Sequence, residues 1–134
     1  MVKIEASAEI KGKNFSPAKA EKETGLFFES KNEAGDTGLK GKYRNKSIPY
    51  GSASFKAPQE IPWDKRIQWL AHELQDKIDI IRRNGADEIH FWIGYFHDGQ
   101  CNCELSEHEL KLIANLNIPF LFSVYDCENL DEIE

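Results

Sequence analysis

Cysteine and histidine side chains in the last third of the chain are of the types that bind zinc. They are His97, Cys101, Cys103 and Cys127, with His108 as an alternative fourth ligand. A structural zinc ion takes four such ligands in a tetrahedral arrangement. The spacing argues against this site, because Cys101 and Cys103 form C-x-C and lack the two-residue gap of common zinc motifs. We therefore predict no metal and no other cofactor, and interpret the cysteines as small, partly buried thiols.

Sequence motifs of enzyme catalysis are broken along this chain. His72-Glu73 begins an H-E-x-x-H pattern, but Asp76 stands where the second histidine is needed, and the same motif fails at the other His-Glu pair. No glycine-rich phosphate loop of the G-x-x-x-x-G-K type is present. We predict that the protein is not an enzyme. A small enzyme or metal-binding domain that brings a thiol close to His90 or His97 is the alternative.

Charge is distributed unevenly along the sequence. From Met1 to Lys56 there are eleven Lys and Arg against seven Asp and Glu, and from Ala57 to Glu134 there are six against sixteen. After His97, nine carboxylates accompany a single base, Lys111. The net charge of −6 argues against general nucleic-acid binding, which needs a basic surface. It is compatible with a basic protein partner, because complementary charge accelerates encounter.

The late carboxylates come from a turn, a helix start and a tail that surround the last predicted strand. If that strand lies beside the strand at Ile89–Phe96, these acids gather in one region of the surface. Tyrosines there would supply the aromatic anchors that protein interfaces often use. The predicted partner-binding residues are Asp98, Glu104, Glu107, Tyr125, Asp126 and Glu128.

A basic segment near the middle of the chain allows a second kind of binding. Its bases alternate with other residues and lie close to two tyrosines, a pattern that resembles surfaces for single-stranded nucleic acids. A lysine-protected edge strand accounts for the same residues more simply. We favour the edge strand and predict no nucleic-acid partner, with a nucleic-acid-binding loop over residues 40–46 as the alternative. The bases are Lys40, Lys42, Arg44 and Lys46, and the tyrosines are Tyr43 and Tyr50.

Hydrophobic periodicity in the first half predicts three strands and one helix. Apolar residues alternate with polar ones from Val2 to Ile10, which indicates a half-buried strand. Ser16-Pro17 is typical of a helix N-cap followed by proline at the first helical position, and Gly25 ends that helix. A second strand is predicted to start at Leu26–Glu29 and a third to span Ser52–Lys56.

The second half predicts a long helix, a central strand, a capped helix and a final strand. Apolar residues from Ile67 to Ile81 follow the three-and-four spacing of one helix. Ile89–Phe96 is apolar on both sides, which predicts an interior position in a sheet. Ser106 and Glu109 form a capping box at the start of the next helix, and Ile118–Tyr125 is the last strand.

These elements predict one α+β domain over residues 1–134, in the order βαββαβαβ. The sheet is mixed, mainly antiparallel and five-stranded, with the helices packed mainly on one face. No apolar run approaches the roughly 20 residues that cross a bilayer, and the first residues lack the apolar core of a signal peptide. We expect a cytoplasmic protein without a membrane partner. Three cysteines fit a reducing compartment.

The chain resembles a family of small bacterial domains of unknown function, the DUF4279-like domains. The resemblance rests on Phe15-Ser16-Pro17 and Gly25-Leu26 after the first strand, and on the long amphipathic helix. It continues with the Phe96-His97-Asp98-Gly99 turn, the helix from Ser106 to Asn117-Ile118, and the final strand with Tyr125-Asp126. These motifs mark turns and caps over nearly the whole chain. One departure is Phe55, where the family tends to have tryptophan.

Members of that group look like immunity proteins of bacterial toxin systems. The resemblance implies that the protein binds a cognate toxin domain and neutralises it, without catalysis. A basic nuclease domain is one toxin type that an acidic surface would suit, because carboxylates can take the place of the phosphates that its site expects. The oligomeric state cannot be inferred from the sequence.

Overall fold

The computed structural model describes residues 2–127 and has the predicted α+β class. Five strands form one mixed, mostly antiparallel sheet in the order β2-β3-β1-β4-β5. The interior position predicted for the strand at Ile89–Phe96 is confirmed, since β4 lies between β1 and β5. The strands are β1 (Val2–Gly12), β2 (Ser30–Asn32), β3 (Gly51–Lys56), β4 (Glu88–His97) and β5 (Phe120–Asp126).

Four α-helices connect these strands. No helix among residues 2–127 is long and apolar enough to span a membrane. Two short 3-10 turns, at Gly41–Tyr43 and Trp63–Lys65, complete the regular structure. The helices are α1 (Pro17–Thr24), α2 (Arg66–Leu74), α3 (Ile78–Arg83) and α4 (Glu107–Asn115).

The helix caps predicted from the sequence are confirmed. Ser16 caps α1 by accepting a hydrogen bond from the Lys19 N–H, and Gly25 ends the helix with a φ of 76°. At α4 the Ser106 hydroxyl accepts from the Glu109 N–H at 3.1 Å, and the Glu109 carboxylate accepts from the Ser106 N–H at 3.0 Å. Each cap satisfies backbone donors that the first helical turn leaves without a partner.

The described residues fall into two compact units. The first unit contains residues 2–7, 56–75 and 91–127, and the second contains residues 8–55 and 76–90. Strands β1, β3 and β4 contribute residues to both units. The sequence predicts a single domain over residues 1–134, and this stays a prediction.

The first unit is built around the amphipathic helix α2. A charged cluster accompanies its apolar core: Arg66 and Glu5 are both buried, and an Arg66 Nη1 atom lies 3.4 Å from a Glu5 carboxylate oxygen. Lys3 and Lys56 each approach the same carboxylate to 3.6 Å. Buried apolar side chains in this unit are Ile4, Ala6, Ala57, Ile67, Leu70, Ala71, Leu74, Phe91, Ile93, Tyr95 and Leu116.

The second unit packs α1 and α3 with the ends of the strands. A side chain on Gly85 would place its Cβ 2.2 Å from a backbone oxygen, and its φ of 99° is left-handed, so glycine is required here.

Desolvation raises the pKa of the Glu21 carboxyl in this unit. Hydrogen bonds from the Lys31 ammonium and the Phe28 N–H, together with the Lys31 charge, nevertheless leave that pKa below its ordinary value. Buried apolar side chains here are Ala8, Ile10, Phe15, Ala20, Phe28, Ala53, Phe55, Ile78, Ile81 and Ile89.

The prediction of one long helix from Ile67 to Ile81 is wrong. Helix α2 ends at Leu74, where Gln75 takes an extended ψ of 134°, and Asp76 has a positive φ of 65°. The Gln75 side-chain amide donates to Ala71 O at 2.9 Å and to Leu112 O at 2.8 Å. The apolar residues keep their helical spacing across this break and into α3. The spacing alone therefore could not reveal the left-handed residue between the two helices.

The second strand does not start at Leu26–Glu29 as predicted. The structure has irregular backbone there and places β2 at Ser30–Asn32. The Phe28 N–H donates to the Glu21 carboxylate at 2.8 Å, so it is not available for a strand ladder. Phe28 is buried while Phe27 is 75 % exposed, which shows that this aromatic pair anchors a loop.

The basic segment over residues 40–46 is not an edge strand, contrary to the sequence interpretation that we favoured. Gly41–Tyr43 forms a 3-10 turn, and Asn45 has a positive φ of 61°, which a strand does not allow. Only isolated bridges occur among the described residues of this segment, at Thr37–Ser47 and Gly38–Arg44. The alternating bases predicted a strand, but the backbone of this segment is set by the 3-10 turn and by the left-handed Asn45.

Candidate functional site

The parallel strands β4 and β5 have their C-terminal ends side by side, at one end of the sheet. β4 and β5 are paired so that Phe96 lies beside Tyr125 and His97 beside Asp126. Because α4 connects these strands, its N-terminus must lie at the same end as their carboxyl ends, the position where open α/β arrangements bind ligands. We call this region the carboxyl edge, after the carboxyl (C-terminal) ends of the two strands that meet there. It comprises residues 97–109 and 125–127.

Most of the predicted binding residues belong to the carboxyl edge. Asp98 directly follows the end of β4, and Tyr125 and Asp126 close β5, so the strand register places all three residues at the same end of the paired strands. Glu104 lies on the connection to α4, and Glu107 is its first residue; both are exposed. The sixth predicted residue, Glu128, lies outside the described residues.

The connection between β4 and α4 is tied to the strand that it leaves. The Tyr95 hydroxyl donates to Asn102 O at 3.0 Å, and the Cys101 thiol donates to Asp98 O at 3.5 Å. His97 Nδ1 lies 2.9 Å from Gly99 O, which assigns the proton to Nδ1 because a carbonyl oxygen only accepts. These contacts hold the loop over the end of β4, so Asp98 and Glu104 have a defined backbone.

An aromatic pair lies beside the acids of the carboxyl edge. The Phe96 and Tyr125 rings are stacked, with centroids 4.7 Å apart and planes 12° from parallel. Tyr125 is 43 % exposed, so its ring offers an apolar surface at this end of the strands. The Asp126 side chain, one residue further along β5, leaves the strand on the opposite face of the sheet. Further along the same strands the Trp92 indole donates to the Ser123 hydroxyl at 3.0 Å.

Strand β5 exposes most of its apolar side chains. Phe120 and Phe122 are each 38 % exposed, Leu121 is 51 % exposed and Val124 is 57 % exposed. Sequence reasoning missed these residues, because a continuous apolar run is typical of a buried strand. None of the residues Glu107–Asn115 of α4, all of them described, is fully buried, although Leu112 and Ile113 are partly covered.

The thiols and histidines do not form the constellation that metal binding needs. Within residues 2–127, no group of three or more His, Cys, Asp or Glu side chains is arranged to hold a metal ion. Partial desolvation, together with the nearby charge of Glu109, raises the pKa of the Cys103 thiol. A raised pKa keeps the thiol protonated at neutral pH, which is unfavourable for a nucleophile or a metal ligand.

The hydroxyl of Tyr95 is shielded by the same loop. Desolvation raises its pKa, and Cys101 and Cys103 nearby raise it further. The phenol therefore stays protonated over the physiological range and acts as a donor to the loop backbone. The carboxyl edge thus presents carboxylates and an aromatic ring at the surface.

Comparisons of the chain with protein-family models, curated proteins and solved structures find no match. The chemistry of the carboxyl edge is therefore interpreted from its own residues.

Proposed function

We propose that this protein is a cytoplasmic immunity protein that binds and neutralises a cognate toxin domain with a basic surface. Binding occurs at the carboxyl edge, and neutralisation is by occlusion, with no bond-making by this chain. The observation that carries the proposal is the register that places Tyr125 beside Phe96 and Asp126 beside His97 at the paired ends of β4 and β5, so that these residues and Asp98 lie at one end of the sheet.

Charge supports a basic partner. The carboxyl edge contributes Asp98, Glu104, Glu107, Glu109 and Asp126, whereas no lysine or arginine occurs between residues 97 and 109. A basic nuclease domain is the partner type that fits best, because its active site attracts phosphates and carboxylates can replace them. Tyr125 would supply the desolvated contact that charge alone does not provide, since interface energy is concentrated in buried aromatic anchors.

A charge reversal at the carboxyl edge tests the proposal. The toxin domain is taken from the neighbouring reading frame, and its association with the protein is followed by stopped-flow fluorescence at low and high salt. We expect Asp126→Lys to slow association by about tenfold or more at low salt and by less at high salt, because steering is screened by ions.

A matched control separates the carboxyl edge from net charge. Asp79→Lys makes the same change in charge on α3 in the other unit, where the aspartate side chain is 94 % exposed. This control should associate with the toxin domain at nearly the wild-type rate. Equal slowing by both variants, or no slowing by Asp126→Lys, would show that the carboxyl edge is not the binding site.

A further inference from the structure

The outer edge of β5 presents backbone hydrogen-bonding groups. In the ladder with β4, Phe91 N donates to Pro119 O at 2.8 Å and Cys127 N donates to His97 O at 2.7 Å. In a parallel ladder the N–H and C=O of one residue point to the same side, and the side alternates along the strand. The odd-numbered residues of β5 therefore bond to β4, and Phe120, Phe122, Val124 and Asp126 direct their backbone groups outward.

The two edges of the sheet differ in how they are protected. β2, at one edge, has only three residues, Ser30, Lys31 and Asn32, and a short strand with a lysine resists edge-to-edge pairing. β5, at the other edge, has seven residues and carries no base and no proline. Within residues 2–127 no strand pairs with its outer side. An edge of this kind is a template for a further strand.

Exposed apolar side chains occur along most of β5. Phe120, Leu121, Phe122, Val124 and Tyr125 are 38 %, 51 %, 38 %, 57 % and 43 % exposed. Together they expose roughly 400 Å² of side-chain surface, about half of what one partner contributes to a standard interface. The backbone of the strand adds to this area.

We propose that the outer edge of β5 pairs with β5 of a second copy of this chain, antiparallel and about a two-fold axis at Ser123. In this register Phe122 lies opposite Val124 of the second copy and forms backbone hydrogen bonds with it. Leu121 faces Tyr125, and Phe120 faces Asp126. All seven residues of each strand are then paired, and the two sheets join into one.

The sequence of β5 is complementary to its own reverse. Phe122 opposite Val124 is an aromatic and β-branched pair, a combination that stabilises antiparallel strands. The acid of the strand, Asp126, meets Phe120 and not another acid, so no like charges lie directly opposite. A two-fold arrangement also closes on itself, whereas a parallel pairing of the same edges would not be symmetric.

This dimer does not depend on the proposed toxin binding. The two Asp126 residues lie at opposite ends of the paired strands, about 20 Å apart along the strand direction at the usual rise per residue. Tyr125 and Asp126 take part in the strand pairing, whereas Glu104 and Glu107 of each carboxyl edge lie outside the paired strands.

Sedimentation equilibrium and light scattering of the full chain test the association. We expect twice the monomer mass for the wild type. Val124→Pro removes an outward N–H and no ladder bond to β4, so it should give a monomer whose circular dichroism is native-like. Val124→Ala keeps the N–H and serves as the matched control, and it should remain dimeric.

A second variant keeps the backbone donors and changes only a side chain. Phe122→Lys places two like-charged residues near the two-fold axis and removes the pair with Val124, so we expect its dimer dissociation constant to rise by about 30-fold or more. If Val124→Pro fails to fold, Phe122→Lys decides the question by itself.

The register is tested by a cross-link. Residues on the axis of this register form a pair without backbone hydrogen bonds, whose Cα atoms lie about 4.5 Å apart, within the range of a disulfide. With Cys101, Cys103 and Cys127 replaced by serine, Ser123→Cys should give a covalent dimer on oxidation. Leu121→Cys, two residues away on the same side of the strand, should not.

Several results would overturn the dimer. A wild-type monomer at on the order of 100 μM chain, far above a micromolar dissociation constant, would do so. Protection of the outward amides of Phe122 and Val124 from hydrogen exchange in such a monomer would show that residues 128–134 cover the edge instead. A dimer unaffected by Val124→Pro and Phe122→Lys, or a failure of Ser123→Cys to cross-link, would refute this pairing of β5.

Discussion

Replacing Arg66 by methionine should destabilise the protein more than any other single change in its charged cluster. Arg66 Nε donates to Ile61 O at 2.9 Å, and Nη1 donates to Ile4 O at 2.8 Å. Nη2 reaches Gln59 O at 3.3 Å and Gln59 Oε1 at 3.2 Å. The guanidinium thus connects the start of β1 with residues 59–61, and it also lies 3.4 Å from the Glu5 carboxylate.

The magnitude follows from what the substitution leaves behind. Removing one partner of a buried ion pair lowers the unfolding free energy by about 3–5 kcal/mol, because the charge of the other partner stays buried without compensation. Lys3 and Lys56 remain 3.6 Å from the Glu5 carboxylate, and Gln59 Nε2 donates to it at 3.3 Å. We therefore expect Arg66→Met to cost about 3 kcal/mol, the lower end of that range.

Glu5→Gln should cost less than the loss of the arginine. The guanidinium keeps its carbonyl acceptors in that variant, so we expect a loss of about 1.5–2 kcal/mol, the lower part of the range for a hydrogen bond to a charged group. Combined with Arg66→Met, the two losses should fall short of additivity by about 1 kcal/mol, since residues in direct contact are coupled.

Urea unfolding monitored by the fluorescence of the three tryptophans measures these differences. Lys65→Met, at an exposed neighbouring position, serves as the control and should change stability by less than about 0.5 kcal/mol. An Arg66→Met protein within about 1 kcal/mol of the wild type would refute the reasoning, as would full additivity of the two substitutions.

Three further predictions concern a cap, a glycine and a carboxylate. Ser106→Ala removes the acceptor of the Glu109 N–H and should lower the unfolding free energy by about 1 kcal/mol. Ser106→Asp keeps an acceptor at this position and should retain most of that stability. Gly85→Ala combines a left-handed φ with a Cβ only 2.2 Å from a backbone oxygen. It should cost more than about 2 kcal/mol or prevent folding, and a thermal melt within a degree or two of the wild type would contradict this. Glu21 has a pKa below its ordinary value in the folded protein. Its ion pair with Lys31 therefore stabilises the protein above the unfolded-state pKa, and that stability is lost as pH falls through the folded-state pKa. Glu21→Gln should reduce the loss of stability between about pH 5 and pH 3, and an unchanged pH profile of urea midpoints would exclude the contribution.

Local chemistry made part of the fold predictable from the sequence. The caps at Ser16 and Ser106 were identifiable because their hydrogen bonds join residues three apart, within reach of a short motif. Strands β1, β3, β4 and β5 were also predicted within two or three residues of their ends, since alternating apolar residues and short apolar runs are typical of strands.

The errors arose where a backbone conformation depends on contacts distant in sequence. Gln75 interrupts the predicted helix while its side chain bonds to Leu112, and no periodicity in residues 67–81 contains that information. Phe28 looked like a strand residue because it is apolar, yet its N–H is bound by Glu21. Alternating bases over residues 40–46 suggested a strand in the same way, although a 3-10 turn forms there.

The candidate site was predictable in its acids and not in its apolar part. Asp98 and Asp126 could be placed together once β4 and β5 were assumed to be neighbours, and the register supports that placement. The exposure of Phe122 and Val124 could not be foreseen, because a sequence does not state which strand ends the sheet. The unprotected edge is visible only in the strand order.

The shallow packing of α4 has a consequence for how the molecule opens. None of its nine residues, Glu107–Asn115, which the structure describes throughout, is buried, and the bond from Gln75 to Leu112 is one of its links to α2. Leu112 and Ile113 are only partly covered, whereas Ile67, Leu70, Ala71 and Leu74 of α2 are buried. Detaching α4 therefore exposes less apolar surface than detaching α2, so its amides should exchange with deuterium before those of α2. Limited proteolysis should accordingly cut first between residues 98 and 115, and leave a nicked chain that stays associated.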